Sequence, residues 1–115
     1  MSLKEKILAA QDIKKEVQEI PAWGVTVEIR GFTGQQRGAF LQDVLDKNGK
    51  MDFVKMYPLL VVLSTFDPET GEPIFKMGDI DAVAGKSGAV LEQIAQVAQK
   101  LSGLDPASVG EKEKN

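Results

Sequence analysis

The feature that constrains the fold most is an alternating stretch in the N-terminal third of the chain. Residues 25–30, with the sequence VTVEIR, alternate apolar and polar side chains, which is the period of a strand with one covered face. Residues 15–20 indicate a second strand with Val17 and Ile20 near one face, and residues 21–24 have the turn chemistry of a hairpin loop. A hairpin alone is unstable in water, so helices must cover its apolar face.

The sequence predicts one helix before the hairpin and another near the end of the chain. Residues 3–9 predict a short helix, whose apolar side carries Leu3, Ile7 and Leu8. Ser87 is placed to cap the longest predicted helix, which runs to about Ser102 and is ended by Gly103. Its apolar positions, which form one broad face, are Val90, Leu91, Ile94, Ala95, Val97, Ala98, Leu101 and Leu104.

Two further helices are predicted in the middle of the chain. Thr33 and Gln36 match a capping box that opens a helix to about Lys47, with the left-handed stop supplied by Asn48 and Gly49. The other helix covers residues 53–63. Asp52 can cap it, and Pro58 either starts or kinks it. Residues 66–73 are dense in turn formers and predict a surface loop, and residues 79–84 predict a short helix.

These elements together predict an α+β fold that is mainly helical, with an N-terminal β-hairpin packed against about three to four α-helices. The length of 115 residues fits one globular domain, which we expect over residues 1–109. Within it, the first helix and the hairpin occupy about residues 1–31 and the helical part about residues 33–104. We expect residues 110–115 to form a charged, flexible tail, since they contain nothing to bury.

Composition excludes several classes of function. The net charge of −3 and the scattered lysines argue against nucleic-acid binding, which needs a basic face. The chain contains no Cys and no His, which removes disulfides, thiolate nucleophiles and most structural zinc sites. The longest apolar run, residues 59–63, is too short to span a bilayer, and the N-terminal residues do not resemble a signal peptide.

Short motifs with possible chemistry all fail on spacing. The Gly85-Lys86-Ser87 stretch lacks the earlier glycine of a phosphate-binding loop, because Ile80 stands at that position. The acidic residues around Gly71 do not have the spacing of a calcium loop. We therefore predict no catalytic, cofactor-binding or metal-binding residues and no enzymatic activity. Paired carboxylates in a cleft remain the one formal route to an enzyme.

Apolar stripes on two helices are the candidate partner-binding surfaces. The predicted positions follow Thr33 and Ser87 and are Phe40, Leu41, Val44, Val90, Ile94, Val97 and Leu101. The same stripes would also be explained by burial inside the chain's own core.

The chain also resembles a known family over nearly its whole length. The segment from Trp23 to Gly34 has the form W-G-V, V, I-R-G-x-T-G, carried by Trp23, Gly24, Val25, Val27, Ile29, Arg30, Gly31, Thr33 and Gly34. This order of a short helix, a hairpin with such a stretch and a helix resembles the tail assembly chaperones of long-tailed bacteriophages and prophages. A turn at residues 67–73 and a Leu-Ser-Gly-Leu sequence near the end fit the same layout.

The resemblance implies a non-catalytic chaperone in the bacterial host cytoplasm, absent from the mature virion. Such proteins bind the tape measure protein and keep it soluble during tail assembly, and they tend to self-associate. Many are also made in a longer, frameshifted form that recruits tail tube subunits. The final Lys114 and Asn115 are compatible with a slippery codon run for such a shift. The alternative is a small structural tail or connector subunit that is retained in the virion.

Overall fold

The computed structural model describes residues 1–104 of the chain. The α-helices of this part are α1 (Leu3–Ala9), α2 (Gly34–Val44), α3 (Phe53–Ser64), α4 (Ile80–Ala84) and α5 (Gly88–Leu101). Its strands are β1 (Lys15–Ile20), β2 (Val25–Arg30) and β3 (Thr65–Phe66), and one 3-10 turn covers Met77–Asp79. The predicted tail at residues 110–115 and the predicted domain end at residue 109 lie outside the described residues.

The predicted hairpin is confirmed. β1 and β2 pair antiparallel, from Lys15 opposite Arg30 to Ile20 opposite Val25. Gly24 closes the turn at φ 65°, a left-handed conformation that favours glycine. The predicted face of Val17 is wrong, because successive strand side chains point to opposite sides. Ile20 is buried with 1% exposure, whereas Val17 is 58% exposed on the outer face.

A third strand extends the sheet, which has the order β1-β2-β3 and therefore leaves β1 at an edge. Thr65 and Phe66 pair antiparallel with Ile29 and Glu28 of β2. The sequence prediction placed residue 66 in the surface loop, since a strand of two residues has no period to detect. The predicted turn follows directly, with the Gly71 N–H donating to the Asp67 carbonyl at 2.8 Å.

The capping box of α2 is confirmed: the Gln36 N–H donates to Thr33 Oγ1 at 3.1 Å, and the Thr33 N–H donates to Gln36 Oε1 at 2.9 Å. The helix ends at Val44, before the predicted Lys47. Leu45 leaves the helical path because it forms an antiparallel bridge with a residue on the far side of the turn, Met51.

Helix α3 begins at Phe53 and runs through Pro58 without interruption of its helical assignment. Asp52 caps it as predicted, accepting the Val54 N–H at 3.0 Å. The alternative in which the helix starts at Pro58 is therefore wrong. Pro58 is itself buried, and the residues that follow it supply most of the buried side chains of α3.

Helix α5 ends as the sequence predicts. Gly103 has φ 72°, its N–H donates to the Lys100 carbonyl, and the Leu104 N–H donates to the Gln99 carbonyl at 2.7 Å. This pair of bonds is the Schellman arrangement that satisfies the last carbonyls of a helix. The other end differs from the prediction, since the Ser87 side chain makes no capping hydrogen bond.

The core lies where α3 and α5 pack on each other and on the inner face of the sheet. One cluster joins the hairpin to these helices through Ile20, Val27, Ile29, Val61, Val62, Val83, Val90, Leu91, Ile94 and Ala98. A second cluster joins α2 to them through Phe40, Val44, Leu59, Leu60 and Ala95. Within residues 1–104, no helix has the length and apolar character needed to cross a membrane.

Candidate partner-binding surface

The seven residues predicted to contact a partner occupy different environments. Four of them are buried in the two core clusters: Phe40, Val44, Val90 and Ile94. Val97 and Leu101 are partly buried against the first cluster. Leu41, at 43% exposure, is the one exposed member of the set. A side chain packed in the core offers no surface to a partner, so the fold favours the alternative of internal burial for the four buried positions. The binding role of the set stays a prediction.

A different exposed apolar surface lies where α2 ends and α3 begins. We call it the junction patch, and its residues are Leu41, Leu45, Met51, Phe53 and Val54. Phe53 is 70% exposed and Val54 is 84% exposed, which is unusual for large apolar side chains at adjacent positions.

Backbone hydrogen bonds hold the two sides of this patch together. The Asp52 N–H donates to the Val44 carbonyl at 2.6 Å, and the Asp46 N–H donates to the Lys50 carbonyl at 2.7 Å. Between these bonds, Leu45 and Met51 form an antiparallel bridge, which places their side chains side by side on one face. The α2–α3 turn is therefore a small hairpin that presents its apolar residues to solvent.

The acidic side chains around the patch bond to the backbone, whereas the lysine side chains are exposed. Asp46 Oδ1 accepts the N–H groups of Asn48 and Lys50 at 2.8 and 3.0 Å, and Asp52 Oδ1 accepts N–H groups of the first turn of α3. Both carboxylates therefore serve the local backbone, while the side chains of Lys47 and Lys50 are exposed. An apolar centre with a polar rim is the general anatomy of a protein–protein interface.

The sequence carries part of the signal for this patch, namely the face of α3 on which its residues lie. The apolar residues of α3 continue one turn N-terminal to the buried segment: Phe53 lies seven residues before the buried Leu60, and Val54 lies seven before the buried Val61. Positions seven apart share a helix face, so both residues extend the core stripe beyond the core itself. The stripe becomes an exposed patch at the point where the covering elements stop, which the structure shows.

Helix α1 is a second exposed apolar element. None of its residues is buried, and its apolar side chains Leu3, Ile7 and Leu8 are largely accessible. Ser2 caps it by accepting the Glu5 N–H at 3.1 Å. A helix of seven residues is shorter than those that persist alone in water, so α1 gains from contact with another surface.

The described residues also form concave surfaces. A groove of about 700 Å³ lies between the segment before β1 and the sheet, where it is lined by Asp12, Lys15 and Arg30 among others. A smaller apolar pocket of about 330 Å³ lies beside Trp23 and Phe75. Within residues 1–104, no group of three or more acidic side chains is placed to hold a metal ion.

Comparison with known proteins gives a match at the level of structure. No family model matches the chain, and no curated protein matches it. Among solved structures, the chain is similar to that of the bacteriophage HK97 tail assembly chaperone, with a TM-score of 0.63 and 21% sequence identity. The match covers 87% of this chain and 98% of the other chain. This likeness shows that the chain has the fold of a tail assembly chaperone, which the sequence resemblance leads us to expect.

Proposed function

We propose that this chain is a tail assembly chaperone of a long-tailed bacteriophage or prophage, which binds the tape measure protein and keeps it soluble during tail assembly. The observation that carries this proposal is the likeness of fold to a tail assembly chaperone over 87% of the chain. The sequence phrase from Trp23 to Gly34, which covers the end of the hairpin turn, β2 and the start of α2, also supports it.

The exposed apolar surfaces suit this task. A long helical protein with uncovered apolar stripes aggregates unless other surfaces cover those stripes. The junction patch offers such a surface, and its large side chains, Phe53 and Val54, stand clear of the chain's own core. Many small binders acting along one rod also benefit from multivalency, so each contact can be weak.

The proposal carries further expectations. The protein acts without catalysis in the bacterial host cytoplasm, leaves before the tail is complete, and is absent from the mature virion. We also propose a single folded domain to residue 109, and a longer frameshifted form that reaches the tail tube protein.

A pull-down tests the function. A tagged copy of this chain is co-expressed with the large helical protein encoded downstream, and copurification is the expected result. Mass spectrometry of purified virions then separates the chaperone from a structural tail or connector subunit. Retention of the chain in virions at stoichiometric amounts would replace the proposal with the structural alternative.

A further inference from the structure

Strand β3 covers only part of the edge of β2. The pairing of β3 with β2 ends where Phe66 lies opposite Glu28, two residues before β3 would reach Thr26. In the same register the residue opposite Thr26 would be Pro68, which lies in the turn after β3 and has no backbone N–H to donate. Within residues 1–104, no other strand takes this place, so the sheet has an open position beside Thr26.

The backbone groups of Thr26 point toward this open position. The Gly31 N–H donates to the Lys14 carbonyl at 2.9 Å, so Gly31 faces β1. Successive residues of an antiparallel strand direct their backbone groups to opposite sides. The odd-numbered residues of β2 therefore face β1, and the even-numbered residues Thr26 and Glu28 face away from it. Glu28 pairs with Phe66, whereas in the described part of the chain Thr26 has no backbone partner on this side. Its N–H and C=O groups are available to an incoming strand.

A cleft of about 570 Å³ lies beside Thr26, and we call it the β2 cleft. Its apolar lining comes from Trp23 and Val25 of the hairpin and from Ile74 and Phe75 after the turn. Trp23 and Phe75 also pack against the core, but Val25 is 48% exposed and Ile74 is 42% exposed. An apolar side chain inserted here would bury surface that the fold leaves in water.

A strand in the open position would direct its side chains in a defined way. The residue opposite Thr26 would share the outer face of the sheet with it, because directly opposed residues lie on one face. The next residue, opposite Val25, would point to the inner face, where Val27 is buried. This inner-face side chain would enter the β2 cleft. An occupant of the cleft is therefore extended and carries an apolar residue next to the one that pairs with Thr26.

The charged residues that line the β2 cleft are both acidic, namely Asp67 and Glu69. Asp67 Oδ1 accepts the N–H groups of Glu69 and Thr70 at 2.8 and 3.4 Å, so this carboxylate holds the turn. The side chain of Glu69 is exposed, and it takes part in no ion pair among residues 1–104. A cationic side chain on the occupant would be attracted to Glu69, and an acidic one would be repelled.

We propose that the β2 cleft binds an extended segment of a second protein. The segment pairs with Thr26 beyond the end of β3, places one apolar side chain opposite Val25, and brings a lysine or arginine side chain beside Glu69. A helix cannot take this position, because its backbone groups are already paired within the helix. The inference therefore concerns a partner other than a helical tape measure protein, and it does not depend on the proposed function. It also leaves the junction patch free.

Synthetic peptides test the proposal on the purified full-length chain. The probe is the capped peptide GKTVTKG, which reads the same in both directions and therefore fits either strand direction. Trp23 is the only tryptophan of the chain and lines the cleft, so a shift of its emission measures binding. Amide hydrogen exchange at Thr26 gives a second readout, because its N–H is expected to exchange more slowly once it is paired. At millimolar peptide both changes are expected.

Two control peptides test the chemistry of the occupant. The peptide GETVTEG replaces both lysines by glutamate and is expected to bind about two- to fivefold more weakly or less. The peptide GKPVPKG has no N–H at the residue opposite Thr26 and is expected to bind at least about fivefold more weakly. Equal binding of all three peptides would mean that the cleft takes apolar groups without strand pairing or charge preference, and would overturn the proposal.

Charge reversal in the protein tests the position of the site. Glu69→Lys is expected to weaken binding of GKTVTKG by about two- to fivefold and to strengthen binding of GETVTEG by a similar factor. Glu92→Lys is the matched control, because Glu92 is exposed on α5 and does not line the cleft. It makes the same change in net charge and is expected to leave both affinities unchanged.

The wild-type chain decides the proposal even if a variant fails to fold. A Trp23 spectrum and a Thr26 exchange rate that millimolar GKTVTKG leaves unchanged would overturn it. Equal effects of Glu69→Lys and Glu92→Lys would overturn the assigned position. Val54→Asp changes the junction patch and is expected to bind GKTVTKG as the wild type does. Failure of this inference is therefore distinct from failure to bind a tape measure protein.

Discussion

Gly31, at the end of β2, lies so close to Leu101 that a Cβ atom on Gly31 would be 2.6 Å from the Leu101 carbonyl oxygen. The next residue reinforces this contact, because the Phe32 N–H donates to Ser102 Oγ at 2.9 Å. The exit of the hairpin is thereby fixed to the end of α5. This explains why a glycine follows Arg30: it permits the close approach of the Leu101 backbone.

Replacement of Gly31 by alanine is expected to destabilise the chain. The added methyl group meets backbone that has little freedom to move, and overpacking of this kind costs about 1–3 kcal/mol. Gly38→Ala is the matched control, because nothing lies within 4 Å of its Cβ position and it is inside α2. Alanine is favoured there by about 0.5–1 kcal/mol. Urea denaturation measures both, and equal stabilities for the two variants would contradict the Gly31–Leu101 contact.

Two helix caps that resemble each other in sequence are expected to behave differently. Thr33→Ala removes a hydroxyl that accepts the Gln36 N–H and should lower the free energy of unfolding by about 0.5–2 kcal/mol. Ser87 occupies the corresponding position of α5 without a capping bond from its side chain, so Ser87→Ala should change the stability little. Thermal denaturation of the two variants makes the comparison. A larger loss for Ser87→Ala would mean that its hydroxyl caps α5 in solution.

Buried and exposed apolar residues are expected to differ in how much their truncation lowers the free energy of unfolding. Ile94 is fully buried between the sheet and α3, so Ile94→Ala should cost about 2–5 kcal/mol. Val54→Ala also shortens an apolar side chain, but that side chain is exposed. Its free energy of unfolding should therefore stay within about 0.5 kcal/mol of the wild-type value. Urea denaturation gives both changes in the free energy of unfolding, from the shift of the midpoint when the m-value is unchanged. A stable Ile94→Ala variant would return that residue to the candidate binding surface.

Local signals predicted much of this fold. The capping box at Thr33 and the end of α5 at Gly103 depend on residues within one turn of each other. The hairpin depends on two alternating segments joined by a short turn, so the sequence alone predicts all three. The face of Val17 was also readable, since positions 17 and 20 have opposite parity in a strand. The prediction that places Val17 and Ile20 on one face is wrong because it departs from the two-residue period of a strand.

Other features depend on contacts between distant segments. Thr65 and Phe66 become a strand because β2 lies beside them, and two residues carry no period of their own. A helical stripe shows which face is apolar and not where the covering elements stop. The stripe therefore does not distinguish Phe40 and Val44, which are core, from Phe53 and Val54, which are exposed.

The junction patch is expected to bind the partner. Val54→Asp places a charge in the patch at the first turn of α3, where an acidic side chain is compatible with the helix dipole, so folding should be retained. Loss of an interface anchor costs about 1–4 kcal/mol, and we expect at least tenfold weaker binding to the tape measure protein. Ile74→Asp is the matched control, because Ile74 is also exposed and lies outside the patch. Biolayer interferometry with the copurified partner compares the two. Equal binding by both variants would exclude the patch as the contact surface.

The most direct test of the account is the solubility of the tape measure protein itself. The protein encoded downstream is expressed with no companion, with the wild-type chain or with the Val54→Asp variant, and its soluble fraction is measured after centrifugation. We predict that it is soluble with the wild-type chain and largely insoluble in the other two cases. A tape measure protein whose soluble fraction is the same with and without this chain would contradict the chaperone function.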